Sequence, residues 1–318
     1  MIFMNGSREM TDRNQHSLPE FYRRFFTASD QDHLYRYVAG GQQPQREGVE
    51  PGASLTHTYG FTASAGALTL PTIEARLSEL ERGTARRVRE TVLEERPLNE
   101  EFKEKISIFL LSQERRTPKH RAARDNWSRQ LAETRHDEGL LRQIAEQNIR
   151  RSSPHANRDD IARRVAALQP RLARFRSTVL QTTAQVPDFL FPHLDLKERS
   201  PATRVLASMH WCLLKAPGSE SFLTSDAPVY RSPQLDLPDS ILLYPVSKKF
   251  FLKASWDASA IGYVDITAEQ TQALNEVTAR GAHREVYADS DDPAIQALVN
   301  RHSRASALEL LKSHSQLE

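Results

Sequence analysis

Residues 221–255 read SFLTSDAPVYRSPQLDLPDSILLYPVSKKFFLKAS. SFLTSDAPVY at 221–230 and ILLYPVSKKFFLKAS at 241–255 are rich in aromatic and aliphatic residues, and serine, aspartate and proline interrupt them. That is the composition of strands and the turns between them. These strands decide the fold because they follow a long stretch of helical period. The neighbours extend the pattern: ASMHWCLLKA (207–216) precedes and GYVDI (262–266) follows as further expected strands. Thr267-Ala-Glu-Gln270 has the form of a capping box and opens a helix through Leu274 and Val277. REVYA (284–288) reads as a last strand, and Asp292-Pro293 opens a C-terminal helix.

Towards the N-terminus, residues 1–15 have the composition of a disordered segment, and HSLPEFYRRFF (16–26) opens the ordered part with Pro19 at a turn or first helical position. LYRYV (34–38) and THTYGFTA (56–63) are expected strands, separated by GGQQPQREGVEPGAS, a loop by composition. From Pro71 the period becomes helical. Ile73, Leu77, Leu80, Thr84 and Val88 form one stripe, and a second helix spans about 98–117 with Phe102, Ile106 and Phe109 inward. A third is expected over 125–151, with Trp127, Leu131, Leu141 and Ile144 inward. A fourth follows the N-cap Asn157 and is kinked at Pro170. The expected fold is therefore α+β: a mixed, mainly antiparallel sheet built from both chain ends (16–70 and 191–290), a large four-helix insertion at 71–190, and a C-terminal helix within 291–318.

Composition narrows the function classes. Of 318 residues, 39% are hydrophobic and 26% charged, values ordinary for a globular protein. No apolar run is long enough to span a bilayer, so no membrane association is expected. The first fifteen residues lack the form of a secretory signal, and a cytoplasmic location is expected. Cys212 is the only cysteine, which excludes an intrachain disulfide and a cysteine-rich zinc site. There is no P-loop, no glycine-rich dinucleotide fingerprint and no Gly-x-Ser-x-Gly elbow, and the histidines show no metal-ligand spacing. No cofactor or metal is expected.

The net charge of +2 conceals an asymmetry. Residues 115–176 hold 16 lysines and arginines against 7 acids, and all but Lys119 of these cations are arginine. Two readings fit: a solvated helical surface, or a face that pairs with phosphate in the planar, two-pronged way open to arginine. On the second, Arg163, Arg164, Arg171 and Arg174 bind a polyanion such as nucleic acid.

Individual residues carry the remaining chemistry. At about 100° per residue, Gln113 and Arg116 fall within about 40° of the line through Phe102, Ile106 and Phe109, so both continue the apolar stripe. An inward guanidinium must be paired or must snorkel out. The functional reading makes Arg116 an anion-binding group held by Gln113, while Arg115 points away. Ser225-Asp226 before Pro228 fits a turn that hydrogen-bonds its own backbone. It also fits a site in which Asp226 is a general base, or anchors Arg116, and Ser225 contacts substrate. His16 stands among aromatics, either as a structural group or as a general acid or base.

Assembled, these stretches resemble the bacterial family called domain of unknown function 4238. HSLPEFYRRFF resembles its H-Y-V-P-x-F-Y-L-x-x-F opening. LYRYV, TYGFTA and a helix with Ile73-Glu74 follow, and SQERRTP (112–118) is similar to its Q-x-x-R-x-P. HWCLLKA then precedes FLTSDAPV, similar to its F-x-x-S-D-x-P-V. ILLYPVSKKFFL resembles its P-L-S-P hairpin, and TQALNEVTARGAHREVYA its L-N … A-x-R-x-V-Y ending. The resemblance places His16, Pro19, Gln113, Arg116, Ser225, Asp226 and Asn275 in the family's pattern and implies no activity. Ser17-Leu18 and Arg23 depart from it.

Two function classes follow. One is a hydrolase or nuclease-like effector of the toxin or phage-defence kind, acting on a phosphate-containing substrate. In it His16, Arg116 and Asp226 are catalytic, and Gln113, Ser225 and Asn275 bind substrate. The other is a non-catalytic nucleic-acid-binding or regulatory module that uses the arginine-rich helices.

Overall fold

The computed structural model describes residues 18–28, 31–49, 70–117, 120, 146, 149–150, 157–166 and 200–302, with side chains from residue 77 onward in the first long helix. The 1–15 segment, His16, the strand expected at 56–63, most of the third helix, and the fourth helix beyond residue 166 lie outside the described residues.

The 241–255 stretch folds as a hairpin of Ile241–Pro245 (β6) and Phe250–Ser255 (β7), with Ile241 opposite Ser255 and Pro245 opposite Phe251. Its turn is closed by Ser247, whose Oγ accepts the Lys249 and Phe250 backbone N–H groups, each at 3.2 Å. Both strands are buried along most of their length, which explains why they read as continuous apolar runs without alternation. Around them forms a five-stranded sheet in the order β5-β6-β7-β3-β8. Here β3 is His210–Lys215, β5 Tyr230–Arg231 and β8 Gly262–Asp265. Its pairs are antiparallel except β3 with β8.

A second, four-stranded sheet joins the chain's two ends. Its order is β2-β1-β9-β4, antiparallel throughout, from β1 (His33–Val38), β2 (Gln45–Gly48), β4 (Thr224–Ser225) and β9 (Glu285–Ala288). The fold is α+β, with two sheets where one was expected. The difference lies in 221–230, which is not a single strand: β4 belongs to one sheet and β5 to the other. Asp226–Val229 bridges them, because Pro228 lacks the N–H that a continued ladder needs.

Two further expectations are corrected. The loop at 40–54 contains β2, an edge strand whose mostly exposed residues leave no apolar alternation to read. ASMHWCLLKA begins in a helix, Pro201–Ser208, before β3 starts at His210. Ser200 caps that helix, accepting the Thr203 N–H at 3.1 Å, with Pro201 in its first turn.

In chain order the main helical elements are α1 (Glu20–Arg24), α2 (Leu70–Arg87) running into a π-helical turn at Val88–Val92, α3 (Glu100–Arg116), α4 (Pro201–Ser208), α5 (Ala268–Gly281) and α6 (Pro293–His302). The capping box of α5 forms as expected, with Thr267 and Gln270 exchanging side-chain and backbone bonds. One core cluster holds Tyr22 of α1, Val88 and Val92 of the π-turn, Phe102 and Phe109 of α3, and Trp211 and Leu252 of the five-stranded sheet. Each such buried side chain contributes about 1.5–3 kcal/mol. The helices of 70–116 are thus fused to the sheet through a shared interior.

Candidate functional site

Helix α3 begins at the N-cap Asn99, whose Oδ1 accepts the Phe102 N–H at 2.8 Å, and this start fixes which face turns inward. Phe102, Ile106 and Phe109 are buried; Gln113 is fully enclosed and Arg116 is 8% exposed. The guanidinium is paired on two sides. Nη1 donates to Glu81 of α2 at 2.8 Å, and Nη2 donates to Gln113 Oε1 at 2.7 Å. Nε is buried without a partner among the described residues. Arg115 is half-buried, as its different direction requires. Thr117 ends the helix in an extended conformation (ψ 147°), as the residue before Pro118 must. Glu114 grips Arg231 of β5 through both carboxylate oxygens, at 3.0 and 2.9 Å, so this end of α3 is fastened to the five-stranded sheet.

The Ser225-Asp226 corner is equally committed. Asp226 Oδ1 accepts the His283 N–H at 2.8 Å and Oδ2 the Arg284 N–H at 2.9 Å, while its own N–H donates to Glu285 O at 3.0 Å. It closes the loop from α5 into β9. Burial outweighs these backbone donors, with Glu285 adding to it, and pushes the carboxyl up to about 6. Ser225 Oγ lies 2.6 Å from the Tyr230 hydroxyl and accepts the Ala227 N–H at 3.3 Å. The Tyr230 ring occupies the space a side chain would need at Gly281: a Cβ there would stand 1.9 Å from Cε1. Asn275 stitches α5 to the incoming strand, accepting from Leu223 N at 2.8 Å and donating to Ser221 O at 2.9 Å.

Tyr22 connects these clusters. Pro245 O can only accept, so the Tyr22 hydroxyl donates there (2.7 Å) and receives the Thr224 hydroxyl (2.7 Å). Its ring stacks on Tyr244 with centroids 5.3 Å apart. Burial pushes the Tyr244 hydroxyl far up, against the Tyr22 hydroxyl and the Arg116 charge beside it, and Tyr244 Oη has no hydrogen-bond partner of good geometry among the described residues. Three motif-bearing stretches therefore meet: the segment leading out of His16, the strand ending at Ser225-Asp226, and the hairpin whose Tyr244 faces the Arg116 charge. The carboxylate that anchors Arg116 is Glu81, not Asp226. Glu81 escaped the sequence reading although it lies four residues after Leu77, on the edge of the same stripe. Tyr22 and Thr224 escaped because they are 202 residues apart in sequence.

Arg23, a departure from the family's pattern, is 1% exposed and is held by Glu47 of β2 at 2.7 Å. Glu47 also faces Arg36, which pairs with Glu285 at 2.9 Å. In the arginine-rich segment, residues 158–166 are helical; Asn157 caps them through the Asp160 N–H at 2.8 Å. Ile161 and Val165 are buried and Arg163 and Arg164 exposed, with Arg164 paired to Asp160 at 3.0 Å. Arg171 and Arg174 lie outside the described residues. Among the described residues no group of three His, Cys, Asp or Glu is placed to hold a metal ion, and no helix is long and apolar enough to cross a membrane.

Residues 14–292 match the family described as "Protein of unknown function (DUF4238)", and the chain belongs to it. No curated protein and no solved structure matches the chain.

Proposed function

We propose that the protein binds nucleic acid through its arginine-rich segment. The observation that carries this reading is the contrast in how its arginines and motif residues are used. Arg116, Ser225, Asp226 and Asn275 are occupied by hydrogen bonds inside the fold, whereas Arg163 and Arg164 stand exposed above a buried apolar face. Arg163 lies on the face opposite the buried Ile161 and Val165, where a phosphate can approach it. Fluorescence anisotropy with a labelled oligonucleotide tests it. Affinity should fall steeply with salt, and neutralising Arg163, Arg164, Arg171 and Arg174 to Gln should flatten the log–log slope by about one for each phosphate no longer neutralised. An affinity unchanged between low and moderate salt overturns it.

One observation favours a second reading, a hydrolase or nuclease-like enzyme: the buried Asp226 carboxyl sits near neutrality, where a general acid or base works best. In that reading His16 shares the proton transfer, Arg116 stabilises developing negative charge, and Gln113, Ser225 and Asn275 orient substrate. Loss of nucleolytic turnover in the near-isosteric Asp226→Asn, with the fold and the oligonucleotide affinity retained, is its required result. Equal turnover in wild type and Asp226→Asn excludes it.

A further inference from the structure

An open groove of about 390 Å³ runs between the end of α1 and the turn of the β6–β7 hairpin, away from the Arg116 and Asp226 clusters. That volume is within the usual range of small-molecule sites. The hairpin is tied to α1 by the Lys248 N–H donating to Phe25 O at 3.0 Å, which fixes the groove's two walls relative to one another.

Three cations line it, against one carboxylate, the nearly fully exposed Asp32. Arg24 holds Glu20 through Nε at 2.8 Å and Asp32 only loosely through Nη1 at 3.7 Å. Lys248 has a long contact of 3.5 Å with Asp289. Lys249 Nζ rests on the carbonyls of Gly218 and Glu220, at 3.3 and 3.4 Å, and has no carboxylate partner among the described residues. Ser247 accepts two backbone N–H groups, and neither bond uses the hydroxyl's own proton.

One feature asks for more than an anion. Phe25 and Leu93, the latter 40% exposed, supply an apolar flank. We propose that this groove binds a small phosphorylated molecule of the size of a sugar phosphate, whose carbon skeleton rests on that flank. A phosphomonoester carries about −1.5 to −2 charges, which suits three cations better than a carboxylate does. The site does not depend on nucleic-acid binding elsewhere.

Calorimetric titration of the full chain with ribose 5-phosphate, inorganic phosphate and ribose tests it. Ribose 5-phosphate should saturate one site, roughly tenfold more tightly than inorganic phosphate, with ribose silent. Lys248→Gln/Lys249→Gln should weaken it by roughly tenfold or more. Leu93→Ser, which leaves the cations in place, should bring ribose 5-phosphate down towards the level of inorganic phosphate. If the double lysine variant melts early, Arg24→Gln takes its place. No saturable binding by wild type at millimolar ribose 5-phosphate overturns the proposal, as does equal affinity in the charge-neutralised and wild-type proteins.

Discussion

Glu81→Ala separates a buried arginine that needs its carboxylate from one that merely lies near it. In the fold, the Arg116 side chain is 7% exposed and that of Glu81 13%. Removing one partner of such a pair costs about 3–5 kcal/mol, because the other charge stays in a low-dielectric site. Gln113 still accepts from Nη2 in the variant, which places the cost at the lower end, about 3 kcal/mol. Unfolding entropy scales as roughly 2 cal/mol/K per residue. For 318 residues the expected fall in melting temperature is therefore about 5 °C.

Calorimetry on wild type, Glu81→Ala, Glu81→Leu, Arg116→Met and the double variant Glu81→Leu/Arg116→Met closes the cycle. The double variant should recover much of the loss, since two apolar side chains carry no desolvation penalty. If Glu81→Ala melts at the wild-type temperature, the ion pair is not what holds α3 against α2, and the account of Arg116 as an internal fastening is refuted. A double variant that is stable but has lost nucleolytic turnover would instead show that Arg116 does chemistry as well.

Three further outcomes follow from the same geometry. Gly281→Ala pushes a methyl into the Tyr230 ring, and overpacking of this kind costs about 1–3 kcal/mol; an unchanged urea midpoint would mean the ring simply swings aside. Glu47→Ala leaves the enclosed Arg23 without its carboxylate and should destabilise by about 3 kcal/mol in the same assay, with no loss meaning that water suffices. The Asp226 carboxyl titrates near 3.8 when unfolded and about 6 when folded, so its stabilising contribution is complete below pH 4 and is lost as pH rises through 6. The stability advantage of wild type over Asp226→Asn should therefore shrink by about 2 kcal/mol from pH 4 to pH 7, and an advantage that grows would show that the backbone N–H donors dominate.

What could be read from the sequence, and what could not, divides along the distance over which each interaction acts. The α3 stripe, the capping box at Thr267 and the 241–255 strands are local patterns, and each appears in the structure where expected. Even the inward turn of Gln113 and Arg116 is a local consequence of 3.6 residues per turn. The edge strand β2 left no trace because its exposed residues answer to main-chain pairing alone. Helix α4 did leave its Ser200-Pro201 signal, but its eight residues are overshadowed by the strand that follows.

The candidate site was legible only as residue types. Arg116 finds Glu81 from 35 residues away, and Asp226 finds its two N–H donors 57 and 58 residues downstream. No periodicity encodes such distances. They change what the motif means: the same Ser-Asp and Gln-x-x-Arg signatures that suggest a reacting pair are, once folded, two clasps on either side of a tyrosine cluster. One clasp joins α3 to α2, and the other ties β4 to the loop ahead of β9. A clasp and a catalytic group place different demands on a carboxylate. The clasp needs its oxygens saturated with donors, while the catalyst needs its titration close to the working pH. Asp226 meets the first demand by geometry and the second by burial. The sign of its pH-dependent contribution therefore weighs directly on the enzymatic reading of this family.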